Sequence, residues 1–245
     1  MSRVVIVTGS SGGIGTALCK EFMQQNWRVI GVDLNEPSED LFRFEHADFS
    51  KVDAAYNLFQ NLKDLDRVDA LINNAAICIN KPLLETNDKD WQQTFDVNVR
   101  SVFQMVRYAH PFLKMTRGSI VNVGSVHAVS TSENVSAYAA SKGAITALTR
   151  AVALEYASDN IRCNAVLPGA INTEMLQMGL SRRQHPKGAE GNFERLVEQT
   201  PLGFIALPDQ IVPSIIHLAD NESSPYITGQ TLVIDGGATA KLATE

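Results

Sequence analysis

The sequence predicts an α/β fold: a doubly wound, seven-stranded, mostly parallel sheet with helices on both faces. Three observations carry this expectation. Short β-rich runs alternate with longer stretches whose apolar residues recur at roughly i, i+3 and i+4, the order expected of parallel strands joined by crossover helices. The first runs are apolar without alternation, as in Val4-Val5-Ile6-Val7, which fits strands buried on both faces. The first run also passes through a glycine-rich turn, Thr8-Gly9-Ser10-Ser11-Gly12-Gly13-Ile14-Gly15, straight into a helical pattern.

In chain order, strands are expected at 3–8, 28–33, 43–48, 70–73, 119–123, 161–167 and 231–234. The second ends in Val-Ile-Gly-Val-Asp, the third in Ala-Asp and the fourth in Ile-Asn-Asn-Ala-Ala. Amphipathic helices are expected at 14–25, 51–62, 88–114, 137–157 and 208–218. The helix at 137–157 has small or apolar residues around most of its circumference, from Ala139 and Ala140 to Leu154. One side would cover the sheet and the other would pack on a second subunit, so a homodimer or homotetramer is expected. Residues 172–207 lack a strand pattern and contain Gly179, Gly188 and Gly191, and they read as a mobile lid over a substrate.

A chain of 245 residues fits one domain, 1–245, long enough to bury roughly 70–75% of its unfolded surface. The net charge of −6 and the scattered basic residues argue against nucleic acid as a partner. No apolar run approaches the length of a membrane span, and the first strand begins too early for a signal peptide, so a cytoplasmic protein is expected. Cys19, Cys78 and Cys163 have no metal or redox spacing, and the five histidines form no ligand set, so no metal is expected.

The glycine loop gains meaning from the strand before it and the helix after it, the context of a Rossmann-type dinucleotide site. Gly9 permits the tight turn, Gly13 lets the backbone approach a pyrophosphate, and Gly15 lets helix and strand pack closely. Asp33 closes the second strand, where a carboxylate accepts hydrogen bonds from ribose hydroxyls and repels a 2′-phosphate. Residues 34–40 contain no Lys or Arg, so NAD is favoured over NADP. Asp48, followed by Phe49, is placed to reach an adenine amino group, with a helix N-cap as the plainer alternative. Asn74, Ala75 and Ala76 end the fourth strand, where small residues let the backbone lie against a cofactor.

Tyr138 and Lys142 are four residues apart on a predicted helix, so their side chains converge, with Ser125 upstream to hold a reacting oxygen. Bringing a phenol into the working range takes about 4 kcal/mol. A lysine cation about 5 Å away supplies about 3 kcal/mol at an effective dielectric of about 20. His127, two residues beyond Ser125, stands where ligand-facing loops collect.

Taken together, these residues make the chain resemble the short-chain dehydrogenase/reductase family over essentially its whole length. The loop from Thr8 to Gly15, including Ser11 and Ile14, matches the family's coenzyme loop, and Asn74-Ala75 its strand-four motif. Ala76 departs from the pattern, since many members have glycine there. Asn98 in Val-Asn-Val matches the asparagine of the proton relay, and Ser125, Tyr138 and Lys142 match the catalytic trio. Pro168-Gly169-Ala170-Ile171-Asn172-Thr173 matches the segment flanking the nicotinamide, with Ile171 at the carboxamide and Thr173 at the carboxamide or phosphates.

The resemblance implies hydride transfer between a secondary alcohol and NAD, with Tyr138 as the acid/base and Asn98 anchoring a water that serves Lys142. Polyols, sugars, hydroxy acids and ring alcohols are the expected substrates. The alternatives are a 3-oxoacyl-thioester reductase and a dinucleotide-sensing protein without turnover. In the lid, Met175, Leu176 and Met178 would shield the site, and the basic run Arg182-Arg183-Gln184-His185-Pro186-Lys187 would either meet an anionic substrate or form a solvated face.

Overall fold

The computed structural model describes residues 2–182 and 185–241. Its strands are β1 (Val4–Thr8), β2 (Arg28–Asp33), β3 (Arg43–His46), β4 (Ala70–Asn73), β5 (Ser119–Val123), β6 (Arg162–Pro168) and β7 (Thr231–Ile234). They form one sheet in the order β3-β2-β1-β4-β5-β6-β7, and all six pairings are parallel. The order reverses direction between β1 and β4, and in open parallel sheets ligands bind beyond the strand ends at such a switch point.

Alternate side chains of each strand go to opposite layers, so the unbroken apolar run of β1 feeds two cores. Val4 and Ile6 join one layer with α2 (Ala54–Asn61), α4 (Ser101–Thr116) and α5 (Ser136–Glu155). Val5 and Val7 join the other with α1 (Gly13–Gln24) and α8 (Pro208–Ala219). All four are fully buried, each such side chain contributing roughly 1.5–3 kcal/mol. The α/β reading therefore holds, and the sheet is parallel throughout.

Two expectations are corrected and a third gains detail. The third strand stops at His46 instead of running to 48, and Asp48 lies in the turn beyond it. The single helix expected at 88–114 is three segments: α3 (Asp88–Phe95), a π-helical turn (Asp96–Arg100), and α4. The apolar spacing continues through the π turn, so periodicity alone reads as one helix. The stretch 172–207 holds two helices, α6 (Glu174–Ser181) and α7 (Gly188–Gln199), tied together where Asn192 donates to the Leu180 carbonyl at 3.0 Å. Within the basic run, Arg183 and Gln184 lie outside the described residues.

Among the described residues no helix is long and apolar enough to cross a membrane, and no group of three His, Cys, Asp or Glu side chains is arranged to hold a metal ion.

Candidate active site

A cleft of about 1670 Å³ opens over the C-terminal ends of the strands. Pockets for single small ligands are usually about 300–1,000 Å³, so this one has room for a dinucleotide and a substrate together. Its wall includes Gly9, Ser11, Gly13, Ile14, Asp33, Asp48, Phe49, Asn74, Ala75 and Ala76 at one end. At the other stand Ser125, Tyr138, Lys142, Pro168, Gly169, Ile171 and Thr173. Of the catalytic and cofactor-binding residues expected from sequence, all but Gly15 and Asn98 are on the wall.

The loop is built for close approach. Gly9 has φ 66°, a left-handed conformation that favours glycine, and a Cβ there would lie 2.9 Å from Ala75 and Asn74. A Cβ on Gly15 would lie 1.9 Å from the Gly9 carbonyl oxygen, so Gly15 acts from behind the loop. Gly15→Ala should therefore destabilise the protein by about 3 kcal/mol or more. It should also weaken dinucleotide binding at least tenfold; urea unfolding and NADH fluorescence titration would read both, and an undisturbed variant would sink this account.

The first turn of α1 has no side-chain cap and no acidic residue, which leaves its amide groups available to an anion. Asp33 points back at the loop: its carboxylate accepts from the amides of Ser11 at 3.0 Å, Leu34 at 2.7 Å and Asn35 at 3.1 Å. Uncapped amides over a glycine floor beside an oriented carboxylate fit the diphosphate and adenosine ribose of a nicotinamide dinucleotide.

Several of these residues also make contacts within the protein that the chain alone does not show. The Asn74 amide donates to the carbonyls of Thr8 and Gly9, at 3.1 and 3.0 Å, so its side chain locks the loop. Thr8 completes the clamp, its hydroxyl accepting from the amides of Asn74 and Ala75 at 3.0 and 3.1 Å. The Phe49 side chain packs into the core, which leaves its main chain for the cleft. Asp48 is no helix N-cap, because α2 starts at Ala54; it accepts from the Ser50 amide at 2.9 Å, and Ser50 holds its carboxyl below the ordinary range. Thr173 caps α6, accepting from the Leu176 amide at 3.4 Å, and a Cβ on Gly13 would come within 2.9 Å of its methyl group.

At the far end, α5 presents Tyr138 and Lys142 side by side, 8% and 3% exposed. Lys142 Nζ lies 5.5 Å from the centre of the Tyr138 ring and donates to the Val123 carbonyl at 2.8 Å. Ser125 abuts the phenol and accepts from the His127 amide at 3.2 Å. The His127 ring meets the Tyr138 ring edge-on at 5.7 Å, and its Nδ1 lies 3.0 Å from Thr131 Oγ1.

The fold adds a desolvation cost to the sequence arithmetic. Burial pushes the Tyr138 phenol up, with Ser125 opposing, and pulls the Lys142 ammonium down to about 8. Both groups are buried, and desolvation is the largest cause of each shift.

Asn98 lies in the π turn and is 1% exposed. Its amide donates to the Ile77 carbonyl at 2.9 Å and to Ser141 Oγ at 3.0 Å, and its Oδ1 accepts from the Ile77 amide at 2.9 Å. Both amide hydrogens are spent inside the protein. The side chain therefore fixes the π turn against α5 through Ser141, which in turn donates to the Tyr138 carbonyl at 2.7 Å. Ser141 and Thr8 were not singled out from sequence; their only signals are adjacency to Lys142 and to the glycine loop.

The switch-point cleft, glycine-floored at one end and holding a buried phenol and ammonium at the other, belongs to the nicotinamide dinucleotide-dependent oxidoreductases. Residues 9–239 match the family model described as enoyl-(acyl carrier protein) reductase, and the chain belongs to the short-chain dehydrogenase/reductase family. It is 34% identical to a cyclopentanol dehydrogenase of a Comamonas species over 97% of both chains. It is 35% identical to a 3-oxoacyl-(acyl-carrier-protein) reductase of Thermotoga maritima over 96% of this chain and 97% of that one. Among solved structures it resembles the ligand-free aldohexose dehydrogenase of Thermoplasma acidophilum, with TM-score 0.92 and 30% identity over 99% of this chain and 96% of the other.

Proposed function

We propose that this protein is an NAD-dependent dehydrogenase that oxidises a secondary alcohol. The observation that carries this reading is the convergence of Ser125, Tyr138 and Lys142 at one end of the cleft whose other end is the glycine loop. Bound NAD would supply the hydride acceptor for the carbinol carbon. Ser125 orients the substrate oxygen, and Tyr138 accepts the hydroxyl proton at its phenol oxygen. Because burial raises the phenol, Lys142 alone does not set its proton affinity; the phenolate needs a further positive charge nearby, as an oxidised nicotinamide carries. Asn98 serves as a positioning residue, holding the π turn and, through Ser141, the helix that carries Tyr138 and Lys142.

NAD is favoured over NADP because Asp33 is at the adenosine end. Among the described residues the cations on the cleft wall are Lys142, Arg182 and Arg195, on α5 or in the α6–α7 segment, away from Asp33. A carboxylate about 5 Å from a phosphate charge costs about 3 kcal/mol at an effective dielectric of about 20. Asp33→Ala should therefore reduce the NAD-to-NADP ratio of kcat/KM by about 100-fold, read as absorbance at 340 nm. An unchanged ratio would remove Asp33 from cofactor choice.

The test of the whole reading is the same absorbance with NAD or NADP against secondary alcohols, polyols, sugars and hydroxy acids, then the corresponding ketones in reverse. A 3-oxoacyl-thioester reductase, suggested by the Thermotoga relative, would instead reduce the 3-oxo group of 3-oxoacyl thioesters, with NADPH as the preferred donor. NAD binding without turnover on either panel would favour a sensing protein. The outer side of α5 exposes Ala140, Ala147, Ala151 and Leu154, which supports a homodimer or homotetramer. We read 1–245 as one domain, with 172–207 as its lid.

A further inference from the structure

The α6–α7 segment turns two arginines toward the cleft. On α6 and its C-cap, Met175, Met178 and Arg182 are spaced to share one face, and all three are on the cleft wall. On α7, Arg195, Leu196 and Gln199 do the same. The result is a wall that is apolar over a short span and carries two guanidinium groups.

Most cations of this protein that lie near a carboxylate are used. Arg3, Arg28, Arg43, Arg67, Arg100, Lys51, Lys81, Lys114 and Lys187 all have acidic partners. Arg182 and Arg195 have none among the described residues, although Glu133 and Glu174 are on the same wall and Glu198 is one turn further along α7. The charge of Arg182 also reaches inward, since it joins Lys142 in pulling down the thiol of Cys78, which burial otherwise raises. Both guanidinium groups are exposed on the wall of the same cleft, where like charges favour an anion as a shared partner. A planar fork is also the donor geometry that carboxylates and phosphates bind best.

We propose that Arg182 and Arg195 receive an anionic group of the substrate, a carboxylate or phosphate, so that the preferred alcohol carries that group a few bonds from its carbinol carbon. This rests on the dehydrogenase reading above and narrows it from secondary alcohols in general to hydroxy acids and phosphorylated alcohols. Met175, Met178 and Leu196 would cover the short apolar body between the two polar ends.

The test begins with NADH fluorescence titration of the full chain, which reads dinucleotide binding alone. The NADH-saturated protein is then titrated calorimetrically with malonate and, separately, with inorganic phosphate, as wild type, Arg182→Ala, Arg195→Ala and Arg195→Lys. A charge-assisted hydrogen bond is worth about 10- to 100-fold in affinity, so each alanine variant should weaken the better-bound anion by that factor. Arg195→Lys should fall between. Tighter malonate binding identifies a carboxylate and tighter phosphate binding a phosphoryl group, and either supports the proposal. In turnover, 3-hydroxybutanoate should be preferred to its methyl ester if malonate binds, or glycerol 3-phosphate to glycerol if phosphate binds. The alanine variants should raise KM for the anionic substrate more than they lower kcat. NADH binding with no binding of either anion, or affinities that the variants leave unchanged, would overturn the anion site alone. Absence of NADH binding would overturn it together with the dehydrogenase reading.

Discussion

Replacing Tyr138 by Phe should lower kcat/KM by about 10³-fold or more while changing NAD affinity by less than about threefold. The substitution removes one oxygen from a side chain that is 8% exposed and leaves its ring against His127. Packing is therefore kept and only the proton acceptor is lost, and a positioned acid/base contributes about 10²–10⁴-fold. Stopped-flow measurement of NADH formation separates this from product release. Retained turnover would dismiss Tyr138 as the acid/base, and a parallel loss of NAD affinity would reassign it to binding.

Lys142→Met should reduce kcat by about 10²-fold and also change how stability depends on pH. Burial takes the Lys142 ammonium from its ordinary 10.5 to about 8. Between those values the unfolded chain holds a proton that the folded protein has released, so wild-type stability rises with pH. The contribution is complete above about pH 10.5 and is lost as pH falls through about 8. Across that window it amounts to on the order of 3 kcal/mol. The methionine variant has no such group, and its unfolding free energy should lack that rise. Loss of the hydrogen bond to the Val123 carbonyl shifts the variant's stability at every pH by about 1–3 kcal/mol, so the slope and not the level is the diagnostic. Urea unfolding at intervals from pH 7 to 10.5 would show it; parallel curves for the two proteins would mean that Lys142 is not desolvated as the geometry requires.

Much of the site is legible in the linear chain because its parts are local. A strand, a glycine turn and a helix start are contiguous in Val4 to Gly15, and Tyr138 and Lys142 meet because a helix repeats every 3.6 residues. What failed to show were effects of distant packing. The π turn at Asp96–Arg100 is hidden because the apolar spacing runs through it, and its purpose is visible only when Asn98 meets Ile77 and Ser141. The helices α6 and α7 are hidden by the glycines of a stretch that reads only as a lid without a strand pattern. Asn74 reads as a cofactor residue because it ends a strand beside the site, yet only the neighbouring strand reveals that its amide is spent on Thr8 and Gly9.

The sequence by itself determined the α/β class, the number of strands and the motifs that stand at the two ends of the cleft, since apolar periodicity and short motifs encode local geometry. Tertiary structure decided the charges and the orientations. Whether Lys142 activates Tyr138 or is itself weakened depends on how much water the fold removes from both. Whether Arg182 and Arg195 meet a glutamate or an open cleft depends on how α6 and α7 turn, because electrostatic energy follows distance and burial, which no spacing along the chain specifies.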